Sequence, residues 1–169
     1  MKECYCGLSP ALFALKPVYA AYLDAQEALA VDDLGGFVRA ATDIKTALGF
    51  VEEAGLVGDP LAEWRRSAAR LRVEDAITSI DTARARFERM SEGVIALQRR
   101  FGHRGSETWN LAHCPMAFDN KGADWFQRGT QINNPYFGDQ MLRCGEVRES
   151  FPPLDATPSA DTHEGHGDD

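Results

Sequence analysis

The stretch ARARFERMSEGVIALQRRFG, residues 83–102, contains the clearest structural signal in the sequence. Six of its apolar residues recur at alternating intervals of three and four, which is the period of one face of an α-helix. They are Ala83, Phe87, Met90, Val94, Leu97 and Phe101. Gly102 is a typical helix terminator, and Arg99 and Arg100 lie where basic side chains interact favourably with the helix dipole. The stretch therefore predicts an amphipathic helix, with Met90 in the protein core.

Three more stripes with this period precede it. Asp32-Asp33 is a typical N-cap signal before the second stripe, and Asp59-Pro60 marks the start of the third. The stripes are Leu12, Leu15, Tyr19, Tyr22, Gln26 and Leu29, then Leu34, Phe37, Ala41, Ile44, Leu48 and Val51, then Leu61, Trp64, Ala68 and Leu71. The third helix is predicted to continue as far as Ile80. Four amphipathic helices with short connections predict an all-α fold, an antiparallel four-helix bundle.

The helical period ends after the fourth stripe, and the rest of the chain differs in character. Residues 103–148 are rich in aromatic residues but have no sustained period. We therefore predict that residues 103–148 form an ordered irregular cap, packed on a bundle of residues 10–102 within the same domain. Residues 1–9 are predicted to be a flexible lead-in, and residues 149–169 a disordered, acidic, His-containing tail.

The composition limits the classes of function. The chain has 169 residues, 44% hydrophobic and 26% charged, which is typical of a globular domain. A formal net charge of −8 argues against nucleic acid as a partner, since such binding needs clustered positive charge. No apolar run of about 18 residues is present, so we expect no membrane insertion. The N-terminal residues lack the apolar core of a signal peptide, which predicts either a cytoplasmic protein or a processed or truncated form of an exported one.

The sequence contains no pattern typical of an enzyme. It has no Ser/His/Asp set, phosphate-binding loop or convincingly spaced carboxylate pair, so no enzymatic activity is predicted. Two short motifs contain metal-ligand residue types: Cys4-x-Cys6 and His163-Glu-Gly-His166. Because they lie in the predicted lead-in and tail, we interpret them as solvated terminal residues rather than as metal sites.

Four sulfur-containing residues form a mirrored arrangement within the predicted cap. Cys114-Pro115-Met116 comes first, and Met141 and Cys144 follow. Pro115 favours an extended backbone at Cys114, and residues two apart in an extended segment point the same way. Met141 and Cys144 are three apart, which places them on one face of a helical turn. If the two pieces face each other, two thiols and two thioethers converge.

These donor types indicate a soft metal ion. Thiolate and thioether ligands favour Cu(I), or alternatively Ag(I), whereas thioether is a poor ligand for zinc. His113 is a candidate extra ligand, although in an extended segment it would point away from Cys114. The alternative is a structural disulfide between Cys114 and Cys144, as is typical of an oxidising compartment, with both methionines as packing. Redox chemistry is less favoured, since no Cys-x-x-Cys motif is present.

The segments CPMAFDNKGADW (114–125), INNPYFG (132–138) and MLRCGEV (141–147) resemble a bacterial domain of formerly unknown function. That domain occurs alone in exported proteins and at the C-terminus of CusB-type periplasmic adaptor subunits of heavy-metal efflux systems. The resemblance covers roughly residues 12–148. It implies a helical bundle, a periplasmic or exported location, and a role in copper or silver handling. The positions that match the family are Cys114, Met116, Met141 and Cys144.

Together, the residues and the resemblance predict a non-enzymatic Cu(I)-binding protein. Cys114 and Cys144 are the predicted thiolate ligands, and Met116 and Met141 the thioether ligands. Acting as a chaperone or sensor, it would deliver Cu(I) to, or gate, an efflux-system adaptor or a cuproprotein. The alternative is a protein-interaction module in which the cap is a docking surface, a Cys114–Cys144 disulfide is a staple, and no metal binds. The predicted anchors of that surface are Trp109, Trp125, Tyr136 and Phe137.

Overall fold

Four helices form the N-terminal part of the fold. The computed structural model describes residues 9–51 and 55–155, with side chains described from residue 13 onward. The helices are α1 (Ser9–Ala30), α2 (Leu34–Leu48), α3 (Gly58–Leu71) and α4 (Ile80–Phe101). Helices α1 and α2 pack together as one hairpin and α3 and α4 as another, while α4 also contacts α1. A helix is therefore present in each of the four regions where the sequence has an apolar stripe.

Local sequence signals define where these helices begin and end. The Asp33 carboxylate accepts a hydrogen bond from the Gly36 amide at 2.8 Å and so caps α2. Gly102, at a φ of 70°, adopts a backbone conformation that ends α4. The predicted stripe of α4 is buried: Ala83, Phe87, Met90, Val94 and Leu97 are 0% exposed. The helical period thus correctly identified the side of α4 that faces the core.

Helix α3 is shorter than predicted. It ends at Leu71, and Arg72 already has extended backbone angles, with φ −72° and ψ 129°. The prediction that this helix continues to Ile80 is wrong, because Ser79 is also extended, at φ −143° and ψ 158°. In that conformation the Ser79 hydroxyl accepts a hydrogen bond from the Thr82 amide at 3.2 Å and caps α4.

The predicted irregular cap is instead a small antiparallel sheet. Its strands are β1 (Trp109–Cys114), β2 (Ala123–Arg128) and β3 (Glu146–Phe151), in the order β2-β1-β3. A four-residue helix, α5 (Ala117–Asn120), and a 3-10 helix (Gly138–Gln140) lie in the connections. The predicted all-α four-helix bundle is therefore wrong, and the fold is mixed α/β. The physical reason is that β1 satisfies its backbone hydrogen-bonding groups by pairing with strands on both sides.

The last strand extends beyond residue 148, where the predicted cap ends. The boundary at residue 148 falls inside β3, which continues to Phe151. The first residues of the predicted disordered tail are described, and the Leu154 amide donates to the His103 carbonyl at 2.9 Å. The rest of that tail, residues 156–169, and nearly all of the predicted lead-in lie outside the described residues. No described helix is both long enough and apolar enough to cross a membrane.

The sheet and the helices share one hydrophobic core, and a buried polar network joins them. The Tyr22 hydroxyl lies 2.7 Å from Ser91 Oγ and accepts a hydrogen bond from the Phe126 amide at 3.1 Å. The Tyr136 hydroxyl donates to the Asp124 carbonyl at 2.8 Å. Because buried polar groups are costly when unpaired, these contacts favour one position of β2 on the helical layer, which is formed by α1 to α4.

An ion pair attaches the chain after β2 to the helices. Arg84 of α4 is buried and donates to the Asp32 carboxylate and, through Nε, to the Pro135 carbonyl at 3.1 Å. The second carboxylate oxygen of Asp32 accepts a hydrogen bond from the Asp139 amide at 3.0 Å. Gly138 lies against this pair at a φ of +57°, and a Cβ there would overlap the Asp32 carboxylate. Glycine is therefore required at this contact for both its backbone angle and its size.

Replacing Gly138 by alanine is expected to lower the free energy of unfolding by about 2–4 kcal/mol. Alanine is strained at this positive φ, and its Cβ overlaps the Asp32 carboxylate. The matched control is Gly129→Ala, at a φ of +67° with open space around it, for which a loss of about 1–2 kcal/mol is expected. Urea denaturation of both variants and the wild type measures the difference. Equal losses would contradict the packing role of Gly138.

Candidate functional site

Cys114 is positioned by the central strand of the sheet. It is the last residue of β1, opposite Ala123 of β2, and its side chain is 0% exposed. Strands on both sides hold the backbone of β1. The position of the Cys114 thiol is therefore determined by strand pairing and core packing.

Cys144 lies outside the strands, in a turn that precedes β3. The Cys144 amide donates to the Met141 carbonyl at 3.0 Å, and the Cys144 carbonyl accepts from Asn134 Nδ2 at 2.7 Å. Gly145 follows at a φ of +134°, and a Cβ there would lie 2.7 Å from the carbonyl oxygen of His113. Only glycine therefore lets this turn come so close to the end of β1.

The structure brings the two cysteines together although they are thirty residues apart in the sequence. Their Sγ atoms lie 3.4 Å apart and share a hydrogen bond, and both residues are free thiols. The hydrogen bond to Cys114 raises the pKa of the Cys144 thiol, and partial burial and the negative charge of a Cys114 thiolate raise it further. The Cys144 thiol is therefore protonated at neutral pH.

The other three predicted ligands, Met116, Met141 and His113, differ in exposure and direction. The Met116 side chain is 47% exposed, and Met141 is half-buried after the 3-10 helix. Among the residues that the structure describes, no hydrogen bond joins either thioether to the thiols. His113 points to the opposite face of the sheet, with its Nδ1 atom 2.7 Å from Asp124 Oδ1. The pair of thiols is the part of the predicted ligand set that the structure brings together.

The chemistry open to the pair follows from this donor set. Within residues 9–51 and 55–155, no group of three or more His, Cys, Asp or Glu side chains could hold a metal ion. Zinc usually takes three or four such ligands, so the described residues offer no complete zinc site. Two adjacent thiols can bind a soft ion, with thioethers as further ligands, or they can be oxidised to a disulfide.

The aromatic residues predicted to anchor a docking surface lie mainly inside the protein. Trp109 and Tyr136 are 6% exposed, Trp125 is 0% exposed, and Phe137 is half-buried. Trp109 stacks on His103 with ring centroids 3.8 Å apart. These rings stabilise the core between sheet and helices, and they do not form an exposed aromatic surface.

Sequence reasoning identified Asn134-Pro135 as a turn and Gly145 as a C-cap, but not the contacts that Asn134 and Gly145 make at the site. Asn134 is 0% exposed and binds the backbone of Cys144. The dipeptide Asn134-Pro135 is a typical turn signal, but a turn signal does not reveal a contact ten residues further along the chain. A C-cap glycine likewise does not reveal that the Gly145 backbone lies so close to His113 that a Cβ would overlap its carbonyl oxygen.

A comparison with family models finds a match for the helical layer. One family model, described as "Protein of unknown function (DUF3347)", matches residues 18–106, more than half of the chain. The chain belongs to the DUF3347 family. The match covers most of α1, all of α2 to α4 and the loop that follows, and it ends before β1. Both cysteines therefore lie outside the part of the chain that matches DUF3347. No curated protein and no solved structure matches the chain.

Replacing Cys114 by alanine is expected to lower the pKa of Cys144 towards its ordinary value, because the shared hydrogen bond is the main cause of the raised pKa. The measurement is the rate of Cys144 alkylation by iodoacetamide against pH, followed by peptide mass spectrometry and normalised to the plateau at high pH. The midpoint should lie higher in the wild type than in the variant. A midpoint that does not move would contradict the coupling between the two thiols.

Proposed function

We propose that this protein binds a soft metal ion, Cu(I) or alternatively Ag(I), through the thiolates of Cys114 and Cys144. The observation that carries the proposal is the 3.4 Å separation of two free thiols that come from distant parts of the chain. The protein is proposed to act without catalysis, as a chaperone or sensor in copper or silver handling. The metal ion is its cargo, and an efflux-system adaptor or a cuproprotein is the proposed partner.

The separation of the thiols supports this proposal. With metal–sulfur bonds of about 2.3 Å, two thiolates on one ion lie about 3.8 Å apart at a tetrahedral angle and about 4.6 Å apart in a linear arrangement. The thiols at 3.4 Å therefore need to separate by only a few tenths of an ångström for the tetrahedral case. Softness selects the ion, because thiolates prefer Cu(I) to hard cations.

The position of Met116 allows a thioether to join this site. Its side chain is 47% exposed and follows Cys114 by two residues, so it is not committed to core packing. Met141 begins the turn that ends at Cys144. In this proposal both thioethers act as weaker, exchangeable ligands. A periplasmic or exported location, implied by the resemblance of residues 12–148, fits this role.

The test is an anaerobic titration of the reduced protein with Cu(I) against a colorimetric Cu(I) chelator. We expect one tightly bound ion per chain and a loss of affinity of at least about 100-fold in the Cys114→Ser, Cys144→Ser variant, because both thiolates are removed. The matched control is Cys4→Ser, Cys6→Ser, which removes the other two thiols and should retain this ion. As the pH is lowered, the Cu(I) affinity should fall about tenfold per pH unit for each proton that binding releases. Equal binding by the two double variants would contradict the proposed site.

A second candidate function is that of an interaction module with a structural Cys114–Cys144 disulfide, which the closeness of the two free thiols also allows. Forming a disulfide requires the sulfur atoms to approach to about 2.05 Å, which is a larger movement than metal binding at a tetrahedral angle. In this case the protein would be an interaction module and would bind no metal. Absence of Cu(I) uptake by the reduced protein, together with an oxidised Cys114–Cys144 pair in the untreated protein, would favour the staple.

If the pair is oxidised, the free energy of unfolding should rise by about 3–4 kcal/mol, because the cross-link closes a loop of about thirty residues in the unfolded chain. Urea denaturation of oxidised and reduced protein in the Cys4→Ser, Cys6→Ser variant measures this difference. An unchanged unfolding midpoint would show that the two cysteines do not act as a staple.

A further inference from the structure

Asn134 connects the turn that contains Cys144 to the rest of the fold. Its side chain is 0% exposed, and its Nδ2 atom donates to the Cys144 carbonyl at 2.7 Å. Its Oδ1 atom accepts from the Tyr136 amide at 2.8 Å and from the Phe137 amide at 3.3 Å. One buried amide group therefore holds two parts of the chain ten residues apart, and each of its polar atoms has a partner.

The backbone of Asn134 strengthens the same connection. Its amide donates to the Leu142 carbonyl at 2.9 Å, and its carbonyl accepts from the Gly138 amide at 3.1 Å. Arg143 also donates to the Ile132 carbonyl at 2.6 Å. The contacts at residues 142 and 143 place the turn as a whole, whereas the Asn134 side chain is the contact that reaches Cys144 itself.

The two thiols are held by different means. Cys114 is fully buried and pairs with Ala123 of β2, whereas Cys144 is half-buried and outside any strand. Among the described residues, Cys144 makes hydrogen bonds to Met141, Asn134 and Cys114. The Met141 contact lies within the same turn and so cannot place that turn relative to β1. Asn134 therefore provides the side-chain hydrogen bond that places Cys144 opposite Cys114.

We propose that Asn134 is the positioning residue of the thiol pair: its side-chain amide sets the separation between the Sγ atoms of Cys114 and Cys144. That separation governs how readily the two thiols react with each other or bind one ion together, because both depend on a high effective concentration of one thiol near the other. The metal part of this inference rests on the proposed function, whereas the thiol–thiol part does not.

Asn134→Asp removes the donor to Cys144 and keeps an oxygen acceptor for the Tyr136 and Phe137 amides. It also places a carboxylate oxygen against the Cys144 carbonyl, which would push the turn away. Asn110→Asp is the matched control. Asn110 is 3% exposed, its Nδ2 atom donates to the Gly129 carbonyl at 2.8 Å, and its Oδ1 atom accepts from Ser150 Oγ at 2.7 Å. The same chemical change is thus made in a second buried asparagine that does not contact Cys144.

The experiment uses the full chain with Cys4→Ser and Cys6→Ser, so that a single thiol pair is present. The first measurement is the equilibrium between the reduced and oxidised pair in glutathione buffers. Oxidised glutathione takes up the two electrons and two protons that the thiols lose, and becomes two molecules of reduced glutathione. The second measurement is Cu(I) affinity against the same chelator. Circular dichroism establishes that each variant is folded.

Asn134→Asp is expected to shift the thiol–disulfide equilibrium towards the dithiol by about tenfold or more and to weaken Cu(I) binding to a similar extent. Asn110→Asp should change both values by less than about twofold, even if it destabilises the fold equally. Asn134→Ser provides a second variant without added charge, since its hydroxyl can replace the local turn acceptor but cannot reach Cys144. It should shift the equilibrium in the same direction.

Equal shifts in the Asn134 and Asn110 variants would overturn the inference, as would no shift in either. Failure of both Asn134 variants to fold would also overturn it, since Asn134 would then be required for the fold rather than for the position of Cys144. Failure of the proposed function gives a different result. In that case the wild type takes up no Cu(I), while the glutathione equilibrium still depends on Asn134.

Discussion

The contact between Arg84 and Asp32 holds three separate parts of the chain together. Arg84 belongs to α4, Asp32 lies in the turn between α1 and α2, and both bind the segment after β2, through the Pro135 carbonyl and the Asp139 amide. The Arg84 residue is only 9% exposed, so its charge depends on these partners. Removing Asp32 would leave the charge of the buried Arg84 without its carboxylate partner, which is destabilising. The position of residues 135–139 on the helices therefore depends on an ion pair between α4 and the turn that joins α1 to α2.

The same segment continues from this ion pair to the thiols. Pro135 binds Arg84, the preceding residue Asn134 binds the Cys144 carbonyl, and the following residue Tyr136 binds the Asp124 carbonyl in β2. Three consecutive residues thus contact the helical layer, the turn with Cys144 and the sheet that contains Cys114. The DUF3347 match includes Asp32 and Arg84 but ends before these three residues. The family-defining helices therefore supply the surface on which the thiol pair is assembled, although they contribute neither thiol.

The helices could be predicted from the sequence because their signals are local. Phe87, Met90 and Val94 are spaced by three and four residues and are all 0% exposed. The sheet could not, because β3 pairs with β1 from more than thirty residues away and its exposed, charged strand has no apolar alternation. The connection between β1 and β2 is also unpredictable from propensity: Phe118, Asp119 and Asn120 have φ angles of 52°, 57° and 64°. Such angles are uncommon outside glycine, and although aspartate and asparagine adopt them more readily than other residues, phenylalanine does not.

The residue types of the candidate site could be predicted from the sequence, but the geometry and burial of its two thiols could not. Soft donors and their spacing identified Cys114 and Cys144, whereas strand alternation separates His113 from them. The two thiols differ in burial, and the spacing of the cysteines in the sequence does not predict this difference. Cys114 is fully buried, whereas Cys144 is half-buried, so Cys144 is the member of the pair that solvent reaches. The contact between Asn134 and the Cys144 carbonyl links the more exposed thiol to the segment that also binds Arg84, so the pair depends on contacts that lie far from either cysteine in the sequence.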